Sequence, residues 1–197
     1  MNRIEATLRK SNIELLRILC MLMIVSEHLA SYHNKGTIDN QDLVFTDIIR
    51  NFCTCSVNSF VLISGYFGIK FKLPRLLDIC NKAWFYSVLG LIISIWMGVH
   101  AFAPRTDFLD FFPVLSRRYW FITVYVVLYL LSPFINGFVD SLSKDKLFKF
   151  LALGGGLFYL WPTLCWATNA PQLIPDAGYG IVNFVYLYIL GRYIRLH

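Results

Sequence analysis

Residues 13–32 read IELLRILCMLMIVSEHLASY, an apolar run that carries an arginine, Arg17, and a histidine, His28, where a lipid-facing helix carries neither. At 1.5 Å per residue a run of this length crosses a hydrocarbon core of about 30 Å. An ionisable side chain inside such a span costs several kcal/mol unless it meets a cavity or a partner, so both residues mark a candidate functional site. They lie eleven positions apart. Eleven steps of 100° leave them about 20° apart around a helix and about 16 Å apart along it, on one shared wall. Glu27 adjoins His28 in sequence, but a 100° step puts it on another side, and no carboxylate–imidazole pair is expected from the spacing. The plainer alternatives are a snorkelling Arg17 at the end of the span and a His28 that bonds to a neighbouring helix.

The remainder of the chain has the same membrane character. Of its 197 residues 57% are hydrophobic and 15% charged, and mean hydropathy is +0.56, more apolar surface than one water-soluble core could bury. An all-α, polytopic transmembrane helix bundle is expected. Further spans read at about 48–69, 83–103, 119–139, 150–166 and 181–194, six with the first, in a single domain. The second is rich in Asn, Ser and Thr, which serve to bond across helices or line a wet cavity. Ser132-Pro133 predicts a kink in the fourth whose freed carbonyl needs a partner, and Gly154-Gly155-Gly156 with Pro162 predicts tight packing and a bend in the fifth. Between the third and fourth, 104–118 carries acids together with Phe108, Phe111 and Phe112, which suggests a segment lying on the membrane surface.

Charge sets the topology. Twelve of the 18 Lys and Arg fall in segments that are cytosolic if the N-terminus is inside, five fall on the other side, and Arg17 belongs to neither group. The N-terminus is therefore expected in the cytosol, and the densest basic stretch, Lys70 to Lys82, at the same face. The net charge of +6 then concerns topology and anionic lipid headgroups, and no nucleic-acid partner is expected. Five cysteines give neither a disulfide framework nor zinc spacing, and no metal site is expected. The N-terminal segment reads as a retained span rather than a cleaved signal.

Four features in register resemble the acyltransferase type 3 family, integral-membrane enzymes that acylate bacterial surface glycans. They are Arg17 with His28, SFVLISGY at 59–66, the basic stretch Lys70 to Arg75, and YWFITVY at 119–125 followed by LSPFIN at 131–136. The resemblance covers essentially the whole chain. Family members have about ten spans, so six would correspond to the N-terminal part of such an enzyme.

The resemblance implies a catalytic role for His28 and Arg17, and a donor- or substrate-binding role for Ser64, Gly65, Tyr66, Lys70, Lys72, Arg75 and Trp120. The family's basic cluster is denser than Lys70 to Arg75 here. Acyl transfer to a sugar hydroxyl needs a base within about 3 Å, which His28 would supply. Arg17 would hold a phosphate of acyl-CoA, acetyl-CoA in the first instance, and the basic stretch would attract the same anion. Ser64 and Tyr66 would orient the acceptor or the thioester oxygen, and Trp120 would stack on sugar. No bound cofactor is implied. The expected partners are acyl-CoA, a glycan acceptor and the lipid bilayer of the bacterial cytoplasmic membrane, with an oligomer or a biosynthetic complex left open. A transporter or flippase with His28 as proton relay, or an inactive truncated relative, is the competing reading.

Overall fold

The computed structural model describes residues 3–33, 40–116, 118–168 and 178–197, and among these every regular element is helical. Parts of the loops expected at 33–47 and 167–180, and Arg117, lie outside the described residues. The chain divides into two compact units, Met1–Ser64 and Gly65–His197.

The first unit holds α1 (Arg3–His33), α2 (Asn40–Cys53) and most of α3 (Cys55–Phe67), with α1 packed on α2. The expected second span is broken at Thr54. Thr54 N–H and Oγ1 both donate to the Arg50 carbonyl, at 2.9 and 2.8 Å. Ser56, Ser59 and Ser64 donate likewise to the carbonyls of Cys53, Cys55 and Phe60. These hydroxyls bond to their own chain three or four residues back, which bends helices, and Ser59 also meets Cys20 of α1, one of the cross-helix contacts expected of this segment.

The second unit is built on helices that cross from one end to the other. Three stretches are long and apolar enough to span a membrane: α4 (Leu73–Trp96), α6 (Trp120–Ser141) and the continuous run Lys144–Thr168. That run consists of α7 (Lys144–Gly155), a π-helical turn at Gly156–Leu160, and α8 (Trp161–Thr168). Helix α4 begins ten residues before the expected third span. Pro74 sits in its first turn, where a missing N–H costs nothing, and so starts the helix rather than belonging to a loop. Gly98, with φ +69°, follows its C-terminus in the left-handed conformation common at helix ends.

Helix α9 (Ile181–Leu196) runs parallel to α6. Trp120 meets Phe184 at one end, Asn136 bonds Tyr188 further along, and Asp140 pairs with Arg192 at the other end. Between them the core gathers Val139, Leu147, Leu151 and Ile189, all nearly inaccessible. Gly154 and Gly155 leave room for the Tyr186 ring, whose hydroxyl donates to the Leu151 carbonyl at 3.0 Å. Large side chains such as Trp96, Leu115 and Phe134 stand bare on the outside, the inverse of a water-soluble surface and the proper face toward acyl chains.

Candidate functional site

In the first unit, Arg17 and His28 both lie on the unbroken helix α1, so the shared-wall geometry stands. The packed face of α1 carries Cys20 and Ala30, and Arg17 and His28 flank it, 38% and 60% exposed. Arg17 Nη1 lies 2.6 Å from Glu14 Oε1, one turn away. Glu27 Oε2 is 3.4 Å from His28 Nδ1, which corrects the expectation from spacing. Adjacent Cβ atoms diverge by 100°, but a glutamate has reach enough to fold back along the surface. The imidazole thus has a carboxylate at one nitrogen. Ser64, at the end of this unit, bonds to Phe60 O.

In the second unit, the stretch after α3 forms a turn whose main chain is clamped by side chains from two other helices. The Ile69 N–H donates to Tyr188 Oη at 2.8 Å, Tyr188 Oη donates to Asn136 Oδ1 at 2.8 Å, and Asn136 Nδ2 donates back to the Ile69 carbonyl at 3.0 Å. This ring satisfies both polar groups of one buried residue. Three residues on, the Lys72 N–H donates to Tyr129 Oη at 3.0 Å, and that hydroxyl sits 3.3 Å from the carbonyls of Lys70 and Lys72. Lys70, Lys72 and Arg75 point outward from the clamped main chain.

The C-terminal turn of α9 meets the same region. Arg195 lies over the Tyr66 ring, 5.3 Å from its centre, with Nη1 3.4 Å from Tyr66 Oη. Arg192 reaches Asp140 at 2.9 Å and passes so close to Gly68 that a Cβ there would come within 2.8 Å of Nη1. Its Nε is buried with no hydrogen-bond partner among the described residues. Gly65 serves a packing purpose. A Cβ on it would strike the Tyr188 carbonyl oxygen, with Tyr188 Cα at 2.8 Å, so only glycine lets α3 and α9 touch backbone to backbone.

The structure therefore brings Gly65, Tyr66, Lys70 and Lys72 to one braced end of the second unit, beside Arg75 at the start of α4. Trp120 lies at the other end of α6, edge-on to Tyr179 at 5.0 Å. Sequence reasoning missed Tyr129, Tyr188 and Arg192. Asn136 and Tyr129 were visible only as letters within or before LSPFIN, and nothing local to residue 188 signals a partner 119 positions away.

A family model described as an acyltransferase domain matches residues 10–197. No curated protein and no solved structure matches the chain.

Proposed function

The chain belongs to the acyltransferase type 3 family, and from that premise we propose that it moves an acyl group, acetyl in the first instance, from acyl-CoA to a hydroxyl of a bacterial surface polysaccharide. The observation that carries the reading is the clamped turn at 69–72, which offers Lys70, Lys72 and Arg75 from a fixed main chain. Fixed cations lose little freedom on meeting phosphate, and the donor is a polyanion. With the N-terminus inside, this end faces the cytosol, where the donor is made, and the enzyme is a multi-pass protein of the cytoplasmic membrane.

His28 acts as the base. The acceptor oxygen attacks the thioester carbonyl while its proton passes to the imidazole nitrogen remote from Glu27. The new C–O ester bond forms as the C–S bond breaks, and the proton then goes to the departing thiolate to give the free thiol. Glu27 steadies the imidazolium between these steps. Arg17 holds a donor phosphate. Ser64 and Tyr66 orient the thioester oxygen, and Trp120, at the other end of α6, offers a ring to the sugar.

The test is transfer of radiolabelled acetyl from acetyl-CoA to membrane glycan in cells lacking their own activity. Label is expected with the wild-type chain, with a loss of about 10²- to 10⁴-fold in His28→Ala and a smaller loss in Glu27→Gln. Full labelling by His28→Ala, with the protein present in the membrane, would remove the base assignment. No label from any chain would remove the acyl-transfer reading for this protein.

A further inference from the structure

A second polar site lies at the far end of α4 from Lys72. The α4 residues that line it, Ser87 to Ser94, lie 15 to 22 residues along the chain from Lys72, about 22–33 Å at 1.5 Å per residue, so it opens toward the opposite face of a membrane that α4 spans. There the chain leaves α4, makes a four-residue helix, α5 (Pro104–Asp107), and a 3-10 turn (Phe108–Phe111), and folds back against α4. Within this segment the usual order is inverted. Asp107 and Asp110 are 2% and 4% exposed, while Phe108, Phe111 and Phe112 face outward.

Each buried acid has a cationic or protonatable neighbour. Both oxygens of Asp107 lie 3.0 Å from His100 Nε2, and the Ala103 N–H donates to Oδ2 at 2.7 Å. Arg118 Nε lies 2.7 Å from Asp110 Oδ1, and Ser87 Oγ 3.5 Å from the same oxygen. His100, Asp110, Arg118, Ser87, Ser94 and Tyr119 line a cavity of about 380 Å³, within the range of small-molecule sites. One wall of the cavity is Gly90, and a Cβ on it would meet nothing within 4 Å. A glycine in mid-helix weakens the helix and here serves no close packing, so its effect is to leave the cavity open.

We propose that this cavity binds a neutral saccharide, as the acceptor subsite of the transfer proposed above, on which its assignment as acceptor rests. The chemistry selects the ligand class. Asp110, the buried carboxylate that lines the cavity, is already matched by Arg118, so an anionic sugar would add charge beside it. A neutral sugar offers paired hydroxyls that donate to Asp110 and accept from Arg118, and a flat face for Tyr119. The outward phenylalanines seat the mouth at the headgroup boundary, where a membrane-tethered glycan has its reducing end.

The test measures binding without donor, so that it stands apart from acyl transfer. Full-length protein in phosphatidylcholine nanodiscs is titrated with maltotriose, chitotriose and trigalacturonate and followed by saturation-transfer NMR. At least one neutral trisaccharide is expected to bind in the millimolar range and trigalacturonate more weakly. Gly90→Phe, whose Cβ has open space at the cavity wall, and Arg118→Ala are expected to weaken binding tenfold or more while leaving acetyl-CoA binding unchanged. Equal binding in wild type and Gly90→Phe, no binding of either neutral sugar, or tighter binding of trigalacturonate overturns the proposal. So does displacement of the sugar when phosphatidylglycerol is added, since the occupant is then a lipid headgroup. Sugar binding in a protein that transfers no acetyl keeps the subsite and removes the transferase reading. Transfer undiminished in Gly90→Phe keeps the transferase and removes the subsite.

Discussion

Pro133 has no N–H to give the Tyr129 carbonyl, and Ser132 Oγ donates to that carbonyl instead, at 2.7 Å. Ser132 is fully buried, so no water reaches the oxygen if the hydroxyl is removed. Ser132→Ala is therefore expected to cost about 1–3 kcal/mol, the penalty of a buried unsatisfied acceptor, whereas Ser132→Thr retains most of the stability. Thermal unfolding in detergent compares the two. At the opposite end, the Ala103 N–H holds the Asp107 carboxyl below its ordinary value of 3.8, helped by His100 and Thr106 and opposed by burial. A carboxyl depressed on folding stabilises the fold in its ionised form. That contribution is complete above the ordinary value and is lost as pH falls through the lower, folded one. Hydrogen exchange at the Ala103 amide should stay protected at neutral pH and open only as pH falls below the ordinary carboxyl value, and Asp107→Asn should flatten that dependence.

Helices in this chain are positioned by where a side chain is missing. Gly65 allows the backbones of α3 and α9 to touch, while Gly137, inside α6, has nothing within 4 Å of an added Cβ. Gly65→Ala is expected to lower stability by about 1–3 kcal/mol or more through overpacking. Gly137→Ala is expected to raise it by up to about 1 kcal/mol through helix propensity. Denaturation midpoints of the two variants, measured side by side, should move in opposite directions. These two glycines also mark how far sequence reaches. The apolar runs, the shared wall of Arg17 and His28, and the carbonyl freed by Pro133 are local facts and were legible. The start of α4 at Pro74 and its stop at Gly98 were written in the sequence but hidden under the basic residues between Lys70 and Lys82, which read as loop. The break at Thr54 depends on a hydroxyl preferring its own helix. The cavity at Asp110 and the clamp at Tyr188 arise only when distant segments fold together, and no window of residues contains them.

Across the whole second unit, one end is basic and braced, and the other holds the Asp110–Arg118 pair in a cavity. Under the proposed donor role, the exposed cations at the braced end act through water, where fields decay over about 8 Å at physiological salt. The KM for acetyl-CoA is expected to rise with ionic strength in wild type and to rise less steeply in Lys72→Gln/Arg75→Gln. Tyr188→Phe cuts the ring at Ile69 without touching a charge. Its expected signature is a several-fold higher donor KM with kcat little changed, since the cations stay but their footing loosens. A fall in kcat at constant KM would place Tyr188 in the chemistry rather than under the turn.

The clamp also has an order in time. Ile69 and Tyr188 are 119 residues apart, and at about 5–20 residues per second a ribosome takes roughly 6–24 s to travel from one to the other. Throughout that interval the Ile69 N–H lacks its Tyr188 partner, and although Asn136 follows after 67 residues to meet the carbonyl, the ring stays open. A nascent chain stalled before residue 188 carries all three cations yet has no fixed cradle for a donor. Under the proposed donor role, a firm grip on the donor thus waits until α9 joins α6 at the turn.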